Sequence, residues 1–266
     1  MTQASSLVAP ALLIEDGRCQ HQLETLAQET PVALVYNGQS HAVMMATPAD
    51  LEDFAVGFSL TEGIVEAMDE VRIIDIMESD GGISIQMWIP QSRFDAVSEH
   101  SRNLSGRTGC GLCGSDSLAR AIRPVRRVGS AHGVDADALR AGFARLEAAQ
   151  PLNSATGAVH AAAIVCADGS LPVREDVGRH NAIDKVVGCV VRNGRVPRAL
   201  LVTSRASYEV VHKAAQMGIG VVAAISAPTA LAVRIAAEAG VTLVGFARGH
   251  RLTVYAGAIA TVNPTA

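Results

Sequence analysis

The chain has 266 residues, 49% of them hydrophobic, and a formal net charge of −4. That length holds one large or two smaller domains, and the balance carries neither a disorder signature nor the basic footprint of a nucleic-acid binder. Aromatics are 3% of the residues, too few for a base-stacking surface; the five cysteines (Cys19, Cys110, Cys113, Cys166, Cys189) lack the regular spacing of a secreted disulfide framework and argue for a reducing compartment.

Residues 1–13 read as a loose tail, without the basic start, apolar segment and cleavage site of a secretory leader. Residues 31–36 and 41–46 are strand-like and joined by Asn37-Gly38, a strong two-residue hairpin signal. Thr47-Pro48-Ala49-Asp50 reads as a helix start, with Thr47 as the cap, Pro48 suited to the first turn and Asp50 to the positive helix end. Leu51, Phe54, Ala55 and Phe58 give that helix one apolar face, ended near Gly63. A strand is predicted over 71–77. After Gly81-Gly82, the alternation of Ile83, Ile85, Met87 and Ile89 predicts a half-buried strand. This first part is a small α+β unit of order ββαββ.

The next stretch is Gly109-Cys110-Gly111-Leu112-Cys113-Gly114, flanked by small and polar residues. Such composition forms an exposed, mobile loop, so both thiols are presented to solvent or to a partner. A short helix is predicted at 115–122, broken by Pro124, and a clearer one at 135–150, with Leu139, Phe143 and Leu146 on one face. Residues 158–166 and 171–175 form a second hairpin around Asp168-Gly169. A helix over 181–191 closes at Asn193-Gly194. Strand 199–203, helix 207–217, strand 219–225, helix 228–239 and strand 241–246 then alternate, which implies parallel strands with right-handed crossovers; residues 252–256 add a last strand. Residues 214–233 carry no charge, but Gly218, Gly220, Ser226 and Pro228 break them into a helix end, a strand and a helix start, not a membrane span. The fold class is α/β, with a small α+β N-terminal domain over 1–130 that ends in the cysteine loop (about 101–117) and an α/β domain over 131–266. The expected location is the cytoplasm.

Three readings of Cys110-x-x-Cys113 compete. A structural zinc site needs four ligands; only one pair is present, and His160 and His180 lack the short spacing of a second. A redox dithiol would place the pair at a helix start after a strand; residues 115–122 offer the helix, but no strand ends at Cys110. A sulfur carrier needs an accessible thiol with thiolate character, which Arg102, Arg107 and a helix start at Ser115 would favour.

Three further turns gather polar residues. Residues 174–185, with Arg174, Glu175, Asp176, Arg179, His180, Asp184 and Lys185, join a strand to a helix, as a site or as an ordinary capped turn. Ser204, Arg205 and Ser207, followed by Tyr208 and Glu209, open a helix after a strand and suit a phosphate. Phe246, Ala247, Arg248, Gly249, His250 and Arg251 follow the strand at 241–246. Read as consecutive strand-to-helix positions, the three turns converge on one crevice. Cys166 and Cys189 sit in apolar runs as buried small hydrophobes. His160 reads as a satisfied core residue in a strand, and His212 lies on a helix surface.

These motifs, with Phe58 to Ile64 (Thr61-Glu62-Gly63) and Leu243-Val244-Gly245-Phe246, resemble the FdhD family, the accessory sulfurtransferases of formate dehydrogenases. The resemblance covers most of the chain, with one departure at Thr156-Gly157-Ala158, where the family more often has two consecutive glycines. It implies sulfur transfer from a cysteine desulfurase to the molybdenum of bis-molybdopterin guanine dinucleotide, a persulfide on Cys110, and a homodimer; beside it, Cys113 is expected to assist by lowering the thiol pKa or by resolving the persulfide. It implies a three-layer, cytidine-deaminase-like core in the C-terminal domain, without the zinc motif of deaminases. Its cofactor-binding turn falls on Phe246 to Arg251, joined in the expected crevice by Ser204, Arg205, Ser207, Arg179 and His180, where a guanine nucleotide such as GDP would stand in for part of the cofactor. No metal site, nucleic acid or membrane is expected. A dithiol redox protein and a zinc-stabilised cofactor chaperone are the alternatives.

Overall fold

Two hairpins open the chain, and each turns on a pair of consecutive left-handed residues: Asp16-Gly17 with φ of 48° and 75°, and Asn37-Gly38 with φ of 48° and 82°. Such pairs match the twist of the flanking strands. The computed structural model describes residues 4–102, 123–129 and 134–260. The Cys110–Cys113 loop and the helix predicted at 115–122 lie outside the described residues.

The first hairpin corrects the expected loose tail. Strand β1 (Ser6–Glu15) pairs antiparallel with β2 (Arg18–Ala27) over ten residues each. Pro10 is tolerated because the ribbon has only edge strands. Val8, Leu12, Ile14 and Leu23 remain exposed on it.

The second hairpin, β3 (Thr30–Tyr36) and β4 (Gln39–Ala46), belongs to a four-stranded sheet with β5 (Arg72–Ser79) and β6 (Gly82–Trp88), in the order β4-β3-β6-β5. Helix α1 (Leu51–Thr61) buries Phe54, Phe58 and Leu60 with Val32, Leu34, Ile83 and Ile85 of the sheet in one core. The predicted cap at Thr47 does not form. Asp50 holds the N-cap position with φ 54° and no side-chain bond, while Thr47 turns away to Asp176 and Val177. Helix α2 (Gln91–Arg102) follows Pro90 and adds an element to the expected ββαββ order.

Helix α3 (Ala136–Ala148) is capped by Asp135, whose carboxylate accepts from the Ala138 amide at 2.7 Å. A short helix α4 (Pro151–Thr156) follows; its first free amides, on Leu152 and Asn153, donate to Glu175 at 2.9 and 2.7 Å, satisfying groups that every helix start leaves open. The remaining elements are β7 (His160–Cys166), β8 (Val173–Asp176), α5 (Arg179–Arg192), β9 (Pro197–Val202), α6 (Tyr208–Gln216), β10 (Val221–Ala224), α7 (Ala230–Ala239), β11 (Thr242–Arg248) and β12 (Arg251–Ala256). The strands form one sheet in the order β12-β11-β10-β9-β7-β8. β9, β10 and β11 are parallel, as alternation required; β7 and β12 run opposite to their neighbours.

Alternation within each strand divides the burial. Ile164, Leu200, Val202, Val222 and Leu243 face α5, α6 and α7, whereas Ala163, Leu201, Val221, Ala223 and Val244 face α3. Helix α5 then packs its far side on α1, so the N-terminal sheet, α1, α5 and the mixed sheet stack in that order.

Candidate functional site

Strand direction gathers the polar turns. β8 is antiparallel to β7, and β7 to β9, so β8, β9, β10 and β11 all point the same way. Their carboxyl ends share one edge of the sheet, where ligands of open α/β folds bind. Backbone bonds stitch this edge together. Thr203 N–H donates to Ala161 at 3.0 Å, Thr229 N–H to Ala206 at 3.0 Å, and Phe246 N–H to Ser226 at 3.1 Å. Along it lie Arg179 and His180 at the start of α5, Ser204 to Ser207 before α6, and Phe246 to Arg251 where β11 turns into β12.

The third turn differs from its expected form. Phe246 to Arg251 does not open a helix but is the tip of the β11–β12 hairpin, with Arg248 opposite Arg251. The βα turn beyond β10 is formed instead by residues 225–229. Phe246 has φ 51°, a strained value for an aromatic residue, and the Arg251 guanidinium lies 4.4 Å from its ring centroid. Gly249 (φ 51°) leaves open space around its Cα. Arg205, Arg248, His250 and Arg251 are exposed, and Arg248 Nε donates to the Ile225 carbonyl at 3.0 Å. Ala247 is buried, so its side chain faces the core. The Ser204 hydroxyl donates to the Arg205 carbonyl at 3.1 Å.

Arg179 and His180 carry the strongest sign of an unfilled role. Arg179 Nε and His180 Nε2 are buried without a hydrogen-bond partner among the described residues; buried polar atoms rarely stay so. His180 Nε2 stands 3.9 Å from a Glu209 carboxylate oxygen. Burial, reinforced by the positive charges of Lys213 and Arg179, pushes the imidazole down to about 4, so it is neutral at pH 7. Burial opposes ionisation of Glu209, yet Ser207, its own amide, His180 and Arg179 hold the carboxyl below its usual range. His160 at the start of β7 is half-buried, and burial and Arg179 both lower its pKa; it borders the same edge.

Most of the 174–185 motif does different work. Asp176 is fully buried and binds Lys185 at 2.6 Å, the Thr47 amide at 3.0 Å, and Asn181 at 3.0 Å. Arg174 reaches Asp53 of α1 at 2.7 Å, and Arg192 reaches the same carboxylate at 2.6 Å. Asp184 accepts from Lys213 at 2.7 Å and from Thr61 at 2.6 Å. These residues lock α5 to the N-terminal unit; only Arg179 and His180 remain at the edge.

The segment that follows the cysteine loop in sequence begins beside this edge. Arg123 N–H donates to the Tyr208 hydroxyl at 2.7 Å, and the Arg123 guanidinium pairs with Glu62 at 2.7 Å. His212, expected on a helix surface, is instead buried. Its ring lies 5.7 Å from that of Tyr208 and against the Pro124 carbonyl. Cys166 and Cys189 are buried, as expected, and Cys189 contacts Arg174 at 3.1 Å. Cys110 and Cys113 lie outside the described residues.

Fold and edge together define an α/β protein built on a six-stranded mixed sheet, its polar and cationic turns collected at the carboxyl ends of four co-directional strands. Residues 27–261 match the model of the FdhD/NarQ family, and the chain belongs to that family. It is 53% identical over 239 residues to the sulfur carrier protein FdhD of Cupriavidus necator, covering 88% of this chain and 82% of that one. It is 50% identical over 243 residues to the protein of the same name from Xanthomonas euvesicatoria pv. vesicatoria, covering 90% and 86%. A crystal structure described as a formate dehydrogenase accessory protein from Desulfotalea psychrophila superposes with a TM-score of 0.70 at 25% identity, covering 96% of this chain and 98% of that one.

Proposed function

We propose that this chain is a sulfur carrier that matures formate dehydrogenase. Cys110 takes sulfur from a cysteine desulfurase and delivers it to the molybdenum of bis-molybdopterin guanine dinucleotide, bound as substrate along the carboxyl edge. The observation that carries this reading is the identity of about half the residues, over nine tenths of the chain, with proteins named as sulfur carriers.

In the loading step the Cys110 thiolate attacks the terminal sulfur of the desulfurase persulfide. A new S–S bond forms, the donor's S–S bond breaks, and the donor cysteine leaves as thiolate. Arg102 and Arg107 are close to Cys110 in sequence, and nearby positive charge favours a thiolate. Cys113 lies three residues away to assist the transfer. On delivery the S–S bond of the persulfide breaks as its terminal sulfur bonds to the substrate's molybdenum, the reduced metal centre supplies the two electrons that bring that sulfur to the sulfide level, and Cys110 leaves as thiolate.

The edge suits a charged guanine dinucleotide. Arg205 and Arg251 are permanent cations able to grip phosphate at two points, and the open space at Gly249 admits a close approach. Two strand spacings, roughly 10 Å, separate the β9 end from the β11 end, a span that the tail of a dinucleotide bridges. Ser204, Ser207, Arg179 and His180 line the β9 side; Phe246, Arg248 and His250 form the other wall, to which Ala247, its side chain turned to the core, offers backbone alone. The sheet order, with its first strand reversed, is read as a cytidine-deaminase-like core. A homodimer is supported by the exposed Val8, Leu12, Ile14 and Leu23 of the ribbon, which a two-stranded element does not bury by itself. The cytoplasm fits free thiols; no helix among the described residues is long and apolar enough to cross a membrane.

Titration of GDP into wild type, Arg205→Ala and Arg251→Ala tests the binding site. Each variant should lose about 1.5–3 kcal/mol, the worth of a hydrogen bond to a charged group. Equal affinity in all three would place the nucleotide elsewhere.

A further inference from the structure

We infer that the β1–β2 ribbon is the homodimer interface: two copies of the chain bring its charge-free face together about a two-fold axis. The inference rests on the homodimer of the reading above, not on its sulfur chemistry.

Register sorts the ribbon onto two unlike faces. Residues directly opposite each other share a face, and successive pairs alternate. Val8, Pro10, Leu12 and Ile14 of β1 therefore lie on one face with Leu23 and Cys19 of β2. Over the length of both strands that face carries no Asp, Glu, Lys or Arg. Every charged residue of the two strands falls on the other face, with Glu15 opposite Arg18 and Glu24 opposite Ala9. Val8, Leu12, Ile14 and Leu23 are each half exposed or more, so the chain displays its charge-free face to solvent.

A two-stranded ribbon is marginal in water unless a face is buried. Its own chain holds this one at the base and along one edge. The Gln28 amide donates to the Ser5 carbonyl at 2.8 Å, and β3 begins two residues later. Helix α4 packs beside β2. Neither contact covers the apolar face.

The chemistry of the face selects its occupant. Interfaces that form and part are about as polar as ordinary surface, whereas homodimer interfaces are more apolar and depleted in charge at their centre. A desulfurase and a client dehydrogenase must each leave after a transfer; a second copy need not. The face is also compatible with itself. A two-fold axis sets the same patch on both sides, and a charge near the axis would meet its like. Pro10 blunts the β1 edge against strand pairing, so the two ribbons meet by their faces, as packed sheets do at a spacing of about 10 Å.

The test is the mass of the full-length protein in solution, read by sedimentation equilibrium over a range of concentrations. Wild type should be a dimer. Leu12→Glu/Leu23→Glu puts acid on the charge-free face and should halve the mass, and Leu12→Lys/Leu23→Lys should do the same. An equimolar mixture of these two variants should regain the dimer mass, because each supplies the complement of the other. Leu13→Glu changes the neighbouring residue of β1, itself exposed but on the opposite face, and should stay dimeric. A dimer that survives the acidic double substitution, a Leu13→Glu protein that is equally monomeric, or a mixture that stays monomeric would overturn the inference. Wild type that is monomeric throughout would overturn the homodimer and the inference with it. A dimeric wild type that takes up no sulfur from a cysteine desulfurase would overturn the carrier reading alone.

Discussion

Gly57 of α1 and Asp184 of α5 meet backbone to backbone: a Cβ on Gly57 would fall 1.7 Å from the Asp184 carbonyl oxygen. One helical turn away the contact repeats, with a Cβ on Gly188 falling 1.9 Å from the Asp53 carbonyl oxygen. Two glycines thus let the helices approach closely enough for Asp53 to reach Arg174 and Arg192, and for Asp184 to reach Thr61. Gly57→Ala and Gly188→Ala should each cost stability at or above the roughly 1–3 kcal/mol of ordinary overpacking, because rigid backbone is struck. Gly129→Ala, where a Cβ meets nothing within 4 Å, should be near neutral. Urea unfolding of the three variants checks the contrast; equal midpoints would contradict the described crossing.

The Lys213–Asp184 pair invites a second comparison. Lys213→Met leaves Asp184 buried without its cation and should cost about 3–5 kcal/mol. The double variant Lys213→Met/Asp184→Asn removes both charges and should recover part of that loss. A double variant less stable than Lys213→Met in denaturant unfolding would show that the pair is not coupled in this way.

His180 and Asp184 give opposite pH dependences. Folding lowers His180 from 6.5 to about 4. The unfolded chain therefore binds more protons between those values, and this group's stability, complete above 6.5, is lost as pH falls toward 4. Folding raises Asp184 from 3.8 to about 6, so its contribution is present below 3.8 and lost as pH rises to 6. The two slopes oppose each other between about 4 and 6. His180→Gln removes one of them, and its stability should fall more steeply than that of wild type as pH rises across this window. Parallel profiles from urea midpoints at several pH values would show that His180 does not titrate as described.

Much of this architecture was legible in the sequence. Asn37-Gly38, the alternation of Ile83, Ile85 and Met87, and the βαβαβ run each mark their element locally, through turn chemistry and side-chain period. The ribbon was missed although Asp16-Gly17 carries the same hairpin signal, because Pro10 and an exposed apolar strand gave no burial pattern to follow. Thr47 was misread as a helix cap because its partner, Asp176, lies 129 residues away in sequence. That long-range pairing also hid the division of labour within the 174–185 motif. Its buried charges resemble a catalytic cluster in sequence, and only contacts with α1 distinguish the structural members from Arg179 and His180. Tyr208 was visible only as the neighbour of Ser207; its hold on Arg123 has no sequence signal.

The cysteine pair supplies two thiolate ligands, and a structural zinc site needs four. Protein purified without added metal should therefore carry substoichiometric zinc and keep its fold in a chelator. A full equivalent of zinc with unfolding on chelation would favour a zinc-stabilised chaperone.

The central claim is that Cys110 carries transferable sulfur, and intact-mass analysis after incubation with a cysteine desulfurase and cysteine tests it most directly. Wild type should gain the mass of one sulfur atom, removable by a thiol reductant. Cys110→Ala should fold normally, gain no transferable sulfur and fail to mature formate dehydrogenase, while Cys113→Ala should be equally or less impaired. No mass gain in wild type, or a Cys110→Ala protein that still takes up sulfur and still matures its client, would contradict the account.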